Sequence, residues 1–277
     1  MTAEADTMAP APRAEMHEGD GDPRPLLSAY IRTLNEERMV DAVVRGALKV
    51  AREVIVVDSG STDGTCEIAE AAGARVVDQP WIGTGRQKRI GETAAQHDWL
   101  LDLDADEVVT DDLAAEIAAV LNANPPANTV LRLKLVTVPP FGKPFYGVKI
   151  AYRNRVYNRT AIRVPDSQAW DQLDLPGGTP LRTMDAPLMH HAFSSIGHVV
   201  AKQNRNTDAR AEAALKPLPV IVLRVFFAMP VYFFKEYVFK KLALRGVYGF
   251  SYALTVAFGR WLRDVKMFEI HMRQRGG

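Results

Sequence analysis

Residues 53–65 read Glu-Val-Ile-Val-Val-Asp-Ser-Gly-Ser-Thr-Asp-Gly-Thr, an apolar, β-branched run that passes into a polar turn with two glycines. Runs that are apolar at every position, rather than at alternate ones, are typical of strands covered on both faces. Such strands belong to parallel sheets, which carry helices on both sides. The segment therefore predicts a buried strand that ends near Asp58 and leads through a tight turn into a helix.

The sequence on either side of this segment repeats the pattern of strand and helix. Apolar runs of strand length start at three more points, each followed by a stretch of helical spacing or composition: Leu26, Ala74 and Trp99. Four successive strand–helix units predict an α/β domain with a mainly parallel sheet flanked by helices. The pattern then loosens into two further predicted strands, at 131–138 and 151–157, and an irregular region at 164–187.

The composition is that of a globular protein. The 277 residues are 47% hydrophobic and 24% charged, which excludes a mainly disordered, collagenous or coiled-coil chain and allows one large domain or two small ones. The single cysteine, Cys66, excludes an internal disulfide. Residues 1–25 are rich in Ala, Pro, Gly and acids without an apolar run, so we expect a disordered tail rather than a signal peptide.

Polar residues follow several of the predicted strands directly. Ligands of open parallel sheets bind at the carboxyl ends of the strands, so these residues are the candidates for a binding site. They are Thr33, Asn35, Glu36, Asp58, Asp63, Asp104, Asp106 and Glu107.

The most informative of these positions lie in residues 101–107, Leu-Asp-Leu-Asp-Ala-Asp-Glu. A strand that ends in Asp-x-Asp can place the carboxylates of Asp104 and Asp106 around one Mg²⁺ or Mn²⁺, which takes oxygen ligands from a few carboxylates and from substrate phosphates. The alternative interpretation of a short acidic cluster is a solvated loop or a helix N-terminus.

The turn after Asp58 has two compatible interpretations. In one, the glycines supply positive φ angles and a polar side chain caps the next helix. In the other, Asp58 accepts hydrogen bonds from a ribose hydroxyl or a base N–H. Neither GxxxxGK[ST] nor GxGxxG occurs in this loop, which argues against a phosphate-binding loop of either type.

Four motifs in order carry a family resemblance: Thr33-Leu-Asn-Glu-Glu37, Val56-Val-Asp-Ser-Gly-Ser-Thr-Asp-Gly-Thr65, Gly85-Arg-Gln-Lys-Arg-Ile-Gly91 and Leu101-Asp-Leu-Asp-Ala-Asp-Glu107. This series resembles the family 2 glycosyltransferases of the GT-A fold. Within that family it is most similar to the bacterial enzymes that extend the lipopolysaccharide inner core. The match is tight over residues 27–110 and looser beyond.

The resemblance implies an inverting transfer of a sugar from a nucleoside diphosphate sugar, usually UDP-linked, to a hydroxyl group. By position, Thr33, Glu36 and Asp58 would contact uridine and ribose, and Lys88 would lie near the nucleotide. Asp104 would lie by the ribose and the donor sugar. Asp106 would ligate Mg²⁺ or Mn²⁺ on the diphosphate.

The catalytic base is expected in the irregular region that follows the later strands. The resemblance points to Asp171, with Asp166 and Asp174 as alternatives, although the histidine that often precedes the base in relatives is replaced by Trp170. A turn-forming role is the alternative for any aspartate in such a loop. The pair His190 and His191 invites a metal interpretation, but no nearby Cys completes a zinc site. The resemblance places a histidine close to His191, which could line the acceptor or diphosphate side, and a structural role is the alternative.

The C-terminal part of the chain is basic and aromatic. Residues 202–277 contain fourteen bases and five acids, and they include the apolar stretches 217–234 and 246–259. Neither stretch supplies about 20 apolar residues without a charge or a proline, so we expect two short helices lying on a membrane surface, with cations on anionic headgroups. A buried core pair and a spanning helix are the alternatives. Nucleic acid is not expected as a partner, since no nucleic-acid-binding module is recognisable.

The predicted organisation is a disordered tail (1–25), a GT-A domain (26–198) and a helical membrane-associating region (199–277). The expected function is transfer of a sugar to a lipopolysaccharide-core or related glycolipid at the cytoplasmic face of the inner membrane. Two alternatives remain open. One is transfer to a polyprenyl phosphate, and the other is a non-catalytic membrane scaffold with a degenerate fold.

Overall fold

The computed structural model describes residues 21–140, 143–148, 151–192, 194–213 and 215–276. Of the predicted tail, residues 1–20 lie outside the described residues, and residues 21–25 form no helix or strand. Internal contacts divide the chain into two units, Met1–Val136 with Ala151–His190, and Thr137–Ile150 with His191–Gly277. The division at His190 is near the boundary predicted at 198, but residues 137–150 group with the C-terminal unit rather than with the sheet domain.

The first unit is built on an eight-stranded sheet. Its strands, among the described residues, are β1 (Leu27–Thr33), β2 (Glu53–Asp58), β3 (Arg75–Asp78), β4 (Trp99–Asp104), β5 (Glu107–Val109), β6 (Val130–Thr137), β7 (Ala151–Asn158) and β8 (Leu181–His190). The helices that accompany them are α1 (Val40–Ala47), α2 (Thr65–Ala71), α3 (Thr84–Ala94) and α4 (Asp111–Asn122).

The strand order is β3-β2-β1-β4-β7-β6-β8-β5. The first four of these strands are parallel, as predicted from their apolar runs. The β4–β7, β6–β7 and β5–β8 pairs are antiparallel. The predicted α/β class with flanking helices is therefore confirmed, and the sheet is mixed, because β7 runs antiparallel to both β4 and β6.

The core lies on both faces of the parallel strands. Successive residues of a strand point to opposite faces, and in β1 the fully buried Ala29 and Ile31 belong to one apolar cluster while Tyr30 belongs to another. The first cluster includes α1 and α4, and the second includes Tyr157, whose hydroxyl is hydrogen bonded to that of Tyr30 at 2.8 Å. Because packed side chains cover both faces of these strands, the strands are apolar throughout.

Local helix signals are found where the sequence indicates them. The side chain of Thr110 caps α4 by accepting a hydrogen bond from the N–H of Leu113 at 3.2 Å. Gly73, just after α2, has a φ of 104°, the left-handed conformation typical of a glycine beyond a helix C-terminus. A threonine before a helix and a glycine after one are signals that can be recognised in the sequence alone.

Two strands were not predicted. β8 lies within the region 164–187 that was predicted to be irregular, extending three residues past it, and contains Pro187, a residue that argues against a strand. β5 is only three residues long, too short to show a periodicity. Because both strands pair with each other, each depends on a partner that is distant in sequence.

The second unit is helical, and one of its helices is longer than predicted. They are α5 (Ile196–Ala213), α6 (Leu218–Phe234) and α7 (Gly246–Gly276), with a π-helical turn (Lys235–Phe239) and a 3₁₀ turn (Leu242–Arg245) between α6 and α7. α6 coincides with the predicted stretch 217–234, whereas α7 continues well past the predicted stretch 246–259 and α5 was not predicted, so the expectation of two short helices was wrong for α7. Pro230 lies inside α6, where it lacks the N–H group that would bond to the carbonyl of Phe226, and the π-helical turn follows five residues later.

The segment Leu218–Phe239 has 22 residues, and an 18-residue window within it has a mean hydropathy of 1.7 with 11% of the window buried. By length and composition alone it could cross a membrane, which is the alternative that the sequence analysis left open. Of its charged residues, Arg224 forms an ion pair with Asp264 of α7 at 3.0 Å.

Candidate active site

The strand register brings the predicted site residues to one edge of the sheet. In the β1–β2 pair Thr33 lies opposite Asp58, and in the β1–β4 pair Arg32 lies opposite Asp104. Because the three strands are parallel, their carboxyl ends meet at the same edge.

The carboxylate of Asp58 is buried and is held by four hydrogen bonds. It accepts from the hydroxyls of Thr33 at 3.0 Å and Ser61 at 2.5 Å, and from the backbone N–H groups of Gly60 at 2.9 Å and Ser61 at 2.7 Å. Burial favours the neutral acid, but these donors outweigh it and lower the pKa of Asp58. Asp58 therefore organises the turn after β2, and a ribose hydroxyl would have to replace or share one of these donors.

The loops after β1 and β2 are tied together. The N–H of Asn35 donates to the Ser61 hydroxyl at 2.8 Å, and the N–H of Glu36 donates to the Thr65 hydroxyl at 2.8 Å. Asn35 has a φ of 56°, a left-handed conformation that asparagine tolerates better than most residues. The predicted nucleotide-contacting residues Thr33, Glu36 and Asp58 thus lie on one pair of joined loops, and their contact with a nucleotide stays a prediction.

A buried arginine forms hydrogen bonds with the acids at the end of β4. Arg155 of β7 is 4% exposed and donates to Asp102 at 3.0 Å, to Asp104 at 2.5 Å and to Glu107 at 2.5 Å. Burial disfavours the ionised form of Asp104, but the charges of Arg155, Lys88 and Arg32 outweigh this effect and lower its pKa. For Glu107 burial dominates and raises the pKa, and the charge of Asp104 adds to the shift.

Lys88 of α3 lies underneath the site rather than on its surface. Its side chain is 1% exposed, and its ammonium donates to Asp102 at 2.6 Å and to the backbone carbonyl of Asp171 at 3.3 Å. Its ammonium therefore does not reach the surface of the site, and its place near the nucleotide stays a prediction. It acts through Asp102 and Asp171.

The loop that carries Asp171 is fixed to the start of α3. The N–H of Thr84 donates to the Gln168 carbonyl at 2.9 Å, and that of Gly85 donates to the Ser167 carbonyl at 3.0 Å. A Cβ atom at Gly85 would lie 2.4 Å from the carbonyl oxygen of Trp170, so only glycine allows this approach. These contacts take up N–H groups that the first turn of a helix leaves without intrahelical partners.

Asp171 is brought into the same network of charges. Its Oδ2 atom is 3.2 Å from Nη2 of Arg32 and 3.6 Å from Nζ of Lys88. Burial disfavours its charge, but Lys88, a hydrogen bond from Gln172 and Arg32 together lower its pKa. At neutral pH it is therefore a carboxylate, the state that a base requires.

The other two candidate bases point elsewhere. Asp166 is 69% exposed and forms an ion pair with Arg86 at 2.9 Å. Asp174 accepts a hydrogen bond from the indole N–H of Trp170 at 3.3 Å. Of the three candidates, Asp171 is the one joined to Asp104, through Arg32.

Asp106 faces a histidine across the β5–β8 pair. Its Oδ2 atom is 3.5 Å from Nε2 of His190. Burial disfavours the protonated imidazole, but the hydrogen bond and charge of Asp106 outweigh it and raise the pKa of His190. The histidine next to Asp106 is His190, whereas the resemblance had pointed to His191.

The pair of Asp106 and His190 fits a divalent cation. The ligand atoms of an octahedral ion lie about 2.1 Å from the metal, so two adjacent ligand atoms are about 3 Å apart. The 3.5 Å between Oδ2 of Asp106 and Nε2 of His190 is close to this distance. A carboxylate with an imidazole is also a donor set that Mn²⁺ accepts. Within the described ranges no group of three or more His, Cys, Asp or Glu side chains could hold a metal ion. The remaining ligands would therefore come from the diphosphate and from water.

Sequence reasoning missed Arg32 and Arg155. A charged residue inside a buried strand is costly unless it is paired, so Arg32 in Leu27–Thr33 and Arg155 in Ala151–Asn158 were signals of buried carboxylate partners. Which carboxylates they meet could not be read from the pattern.

Comparison with known proteins supports the resemblance. The model of the family "Glycosyl transferase family 2" matches residues 28–171. An uncharacterized glycosyltransferase of Rickettsia bellii is 31% identical over 89% of this chain and 87% of its own length. The lipopolysaccharide core biosynthesis glycosyltransferase LpsC of Rhizobium meliloti is 26% identical over 90% of this chain and 94% of its own.

Among solved structures, glucosyl-3-phosphoglycerate synthase from Mycobacterium tuberculosis aligns over 46% of this chain and 51% of that one, with 22% identity and a TM-score of 0.32. That likeness is too slight to bear on function. The family match spans more than half of the chain and includes both the Asp104–Asp106 motif and Asp171. This chain therefore belongs to glycosyl transferase family 2 and is a glycosyltransferase.

Proposed function

We propose that the protein transfers a sugar, with inversion, from a nucleoside diphosphate sugar to a hydroxyl group of a lipopolysaccharide-core glycolipid. UDP is the expected nucleotide. The observation that carries the proposal is that Asp171 joins Asp104 through one guanidinium, Arg32, at the edge where Asp106 also lies. A candidate base and the Asp-x-Asp motif therefore meet at one site, although 65 or more residues separate them in sequence.

The chemistry follows from the charges at this edge. Asp171 accepts the proton of the acceptor hydroxyl as its oxygen bonds to the anomeric carbon, and the bond from that carbon to the diphosphate breaks. Arg32 and Lys88 keep Asp171 ionised before the reaction. A divalent cation held by Asp106 and His190 would offset the charge that builds on the leaving diphosphate.

The acceptor class rests on the relatives. LpsC is named as a lipopolysaccharide core biosynthesis glycosyltransferase, and it aligns with this chain over nearly the full length of both. A glycolipid acceptor would place the enzyme at a membrane surface, and for a donor made in the cytoplasm this is the cytoplasmic face of the inner membrane.

A donor screen tests the proposal. The purified full-length chain is incubated with a rough-type lipopolysaccharide acceptor, Mg²⁺ or Mn²⁺, and each UDP-, GDP- and ADP-sugar in turn, and transfer is followed by mass shift of the acceptor. We expect transfer from a UDP-sugar. Absence of transfer from every donor, together with absence of metal-dependent UDP binding by calorimetry, would favour the non-catalytic scaffold instead.

A further inference from the structure

The outer face of α6 is apolar and exposed along its whole length. Large apolar side chains recur on it every three or four residues, as on one side of a helix. They are Val220, Leu223, Phe226, Phe227, Val231, Phe234 and Val238, each between 44% and 72% exposed. Soluble surfaces rarely carry a continuous apolar strip of this length, and such strips mark interaction sites.

The inner face of α6 packs on α7, which runs antiparallel to it. Ile221 of α6 lies in one apolar cluster with Met267, and the ring of Phe233 is 5.2 Å from that of Phe250. On another side, α7 meets α5, where Lys266 pairs with Asp208 at 2.6 Å. α7 therefore packs against the polar α5 on one side and against the apolar α6 on another.

Basic residues surround the end of this strip. The turns between α6 and α7 carry the cations Lys235, Lys240, Lys241 and Arg245, of which Lys240 is paired with Glu236 at 3.1 Å. Among them stand the most exposed apolar side chains of the described residues, Phe239 at 81%, Leu244 at 75% and Val247 at 84%. Apolar side chains beside cations are what a bilayer with anionic headgroups accommodates, because the first enter the acyl boundary and the second meet phosphates.

We propose that the outer face of α6, with the turn up to Val247, lies in the plane of an anionic membrane surface. A second copy of the chain fits this face less well, because its apolar strip offers no acidic groups to the cations at the end of the strip. The inference deepens the proposed function by stating how the enzyme reaches a lipid-linked acceptor, and it rests on that function only for the identity of the acceptor.

An orientation across the membrane is disfavoured by the charges of α7. The guanidinium of Arg260 lies over the ring of Tyr232, 5.4 Å from its centroid. Tyr232 is about 21 Å along the helix from Leu218 and about 10 Å from Phe239 at about 1.5 Å per residue. If Leu218–Phe239 crossed the bilayer, the exposed Arg260 would sit in hydrocarbon, where charges are costly.

Flotation with lipid vesicles tests the proposal on the full-length chain. We expect it to float with vesicles of phosphatidylcholine and phosphatidylglycerol, to float less with phosphatidylcholine alone or in high salt, and to be released by carbonate. The double variant Phe227→Glu/Val231→Glu should lose about tenfold or more of its partitioning into anionic vesicles. Lys235→Glu/Lys241→Glu should lose its preference for anionic lipid. The matched control Val200→Glu, an exposed apolar position on α5, should bind as the unchanged chain does.

Three outcomes would overturn the inference. Failure of the unchanged chain to bind anionic vesicles is the first. Retention in the membrane after carbonate, which indicates a spanning helix, is the second. A dimer in solution that the Phe227/Val231 variant abolishes, without vesicle binding, is the third and assigns the face to a second copy. Transfer to a lipid-free core oligosaccharide is measured separately, so failure of docking and failure of the proposed function are distinguishable.

Discussion

Asp104 and Asp171 are bound to the same atom, Nη2 of Arg32, at 2.9 and 3.2 Å. One residue ends a strand of the parallel sheet, and the other lies in a loop fixed to the start of α3. Because a guanidinium holds both carboxylates, the position of the candidate base depends on the strand that carries the Asp-x-Asp motif.

Asp171→Asn should abolish most of the turnover. The amide cannot accept the proton of an acceptor hydroxyl, and removal of a general base costs about 10²–10⁴-fold in rate. Donor binding measured by calorimetry should change little. Asp174→Asn is the matched control and should keep its turnover; a small effect of Asp171→Asn would instead favour an already ionised phosphate acceptor.

Arg155→Met should destabilise the fold. The change leaves Asp102, Asp104 and Glu107 without their shared cation, and removal of one partner of a buried ion pair costs about 3–5 kcal/mol. Urea unfolding followed by circular dichroism gives the free energy of unfolding. Arg153→Met, at an exposed position of the same strand, should change it by less than about 0.5 kcal/mol; equal effects of the two changes would refute a special role for Arg155.

Gly85→Ala should displace the loop that carries Asp171. An added Cβ would lie 2.4 Å from the Trp170 carbonyl oxygen, 2.5 Å from that of Pro165 and 2.9 Å from that of Ser167, all backbone atoms that cannot move separately. We expect turnover to fall about tenfold or more, since displacements of about 1 Å at a reacting group cost up to about 10²-fold. Gly177→Ala, where a Cβ would meet nothing within 4 Å, should be neutral.

Asp106→Asn should weaken the binding of UDP in the presence of Mn²⁺ and leave metal-free binding unchanged. The change removes a charged oxygen ligand beside His190 and keeps the shape of the side chain. Titration calorimetry with and without Mn²⁺ separates the two effects. Asp185→Asn, an exposed acid of β8, serves as the control; the same Mn²⁺ dependence in Asp106→Asn and the unchanged chain would contradict the assignment.

Asp58 should contribute to stability in a pH-dependent way. Its folded pKa is lowered, so its contribution is complete above the unfolded pKa of about 3.9 and is lost as the pH falls through the folded value. The difference in unfolding free energy between the unchanged chain and Asp58→Asn should therefore be constant above about pH 5 and shrink towards pH 3. A difference that grows on acidification would show that the carboxylate is not held in its charged form.

The sequence was sufficient for the first half of the sheet, for most helix boundaries and for the edge where the site lies. Each of these follows from local patterns, because apolar runs, caps and glycines report the burial and backbone conformation of their own segment. Asp58 and Asp104 could be assigned to one edge without knowledge of any contact, since parallel strands end on the same side.

The convergence of Arg32, Arg155 and His190 on the acids, and the link from Asp171 to Asp104 through Arg32, came from the tertiary structure. So did β8, which carries a proline and pairs only with strands distant in sequence, and the unbroken α6, whose charge Arg224 is neutralised by Asp264. An ion pair depends on the register of strands and on the path of loops between them, and these quantities leave no periodicity in the chain. Local pattern predicts whether a residue is buried, whereas only the assembled fold decides which partner its side chain contacts.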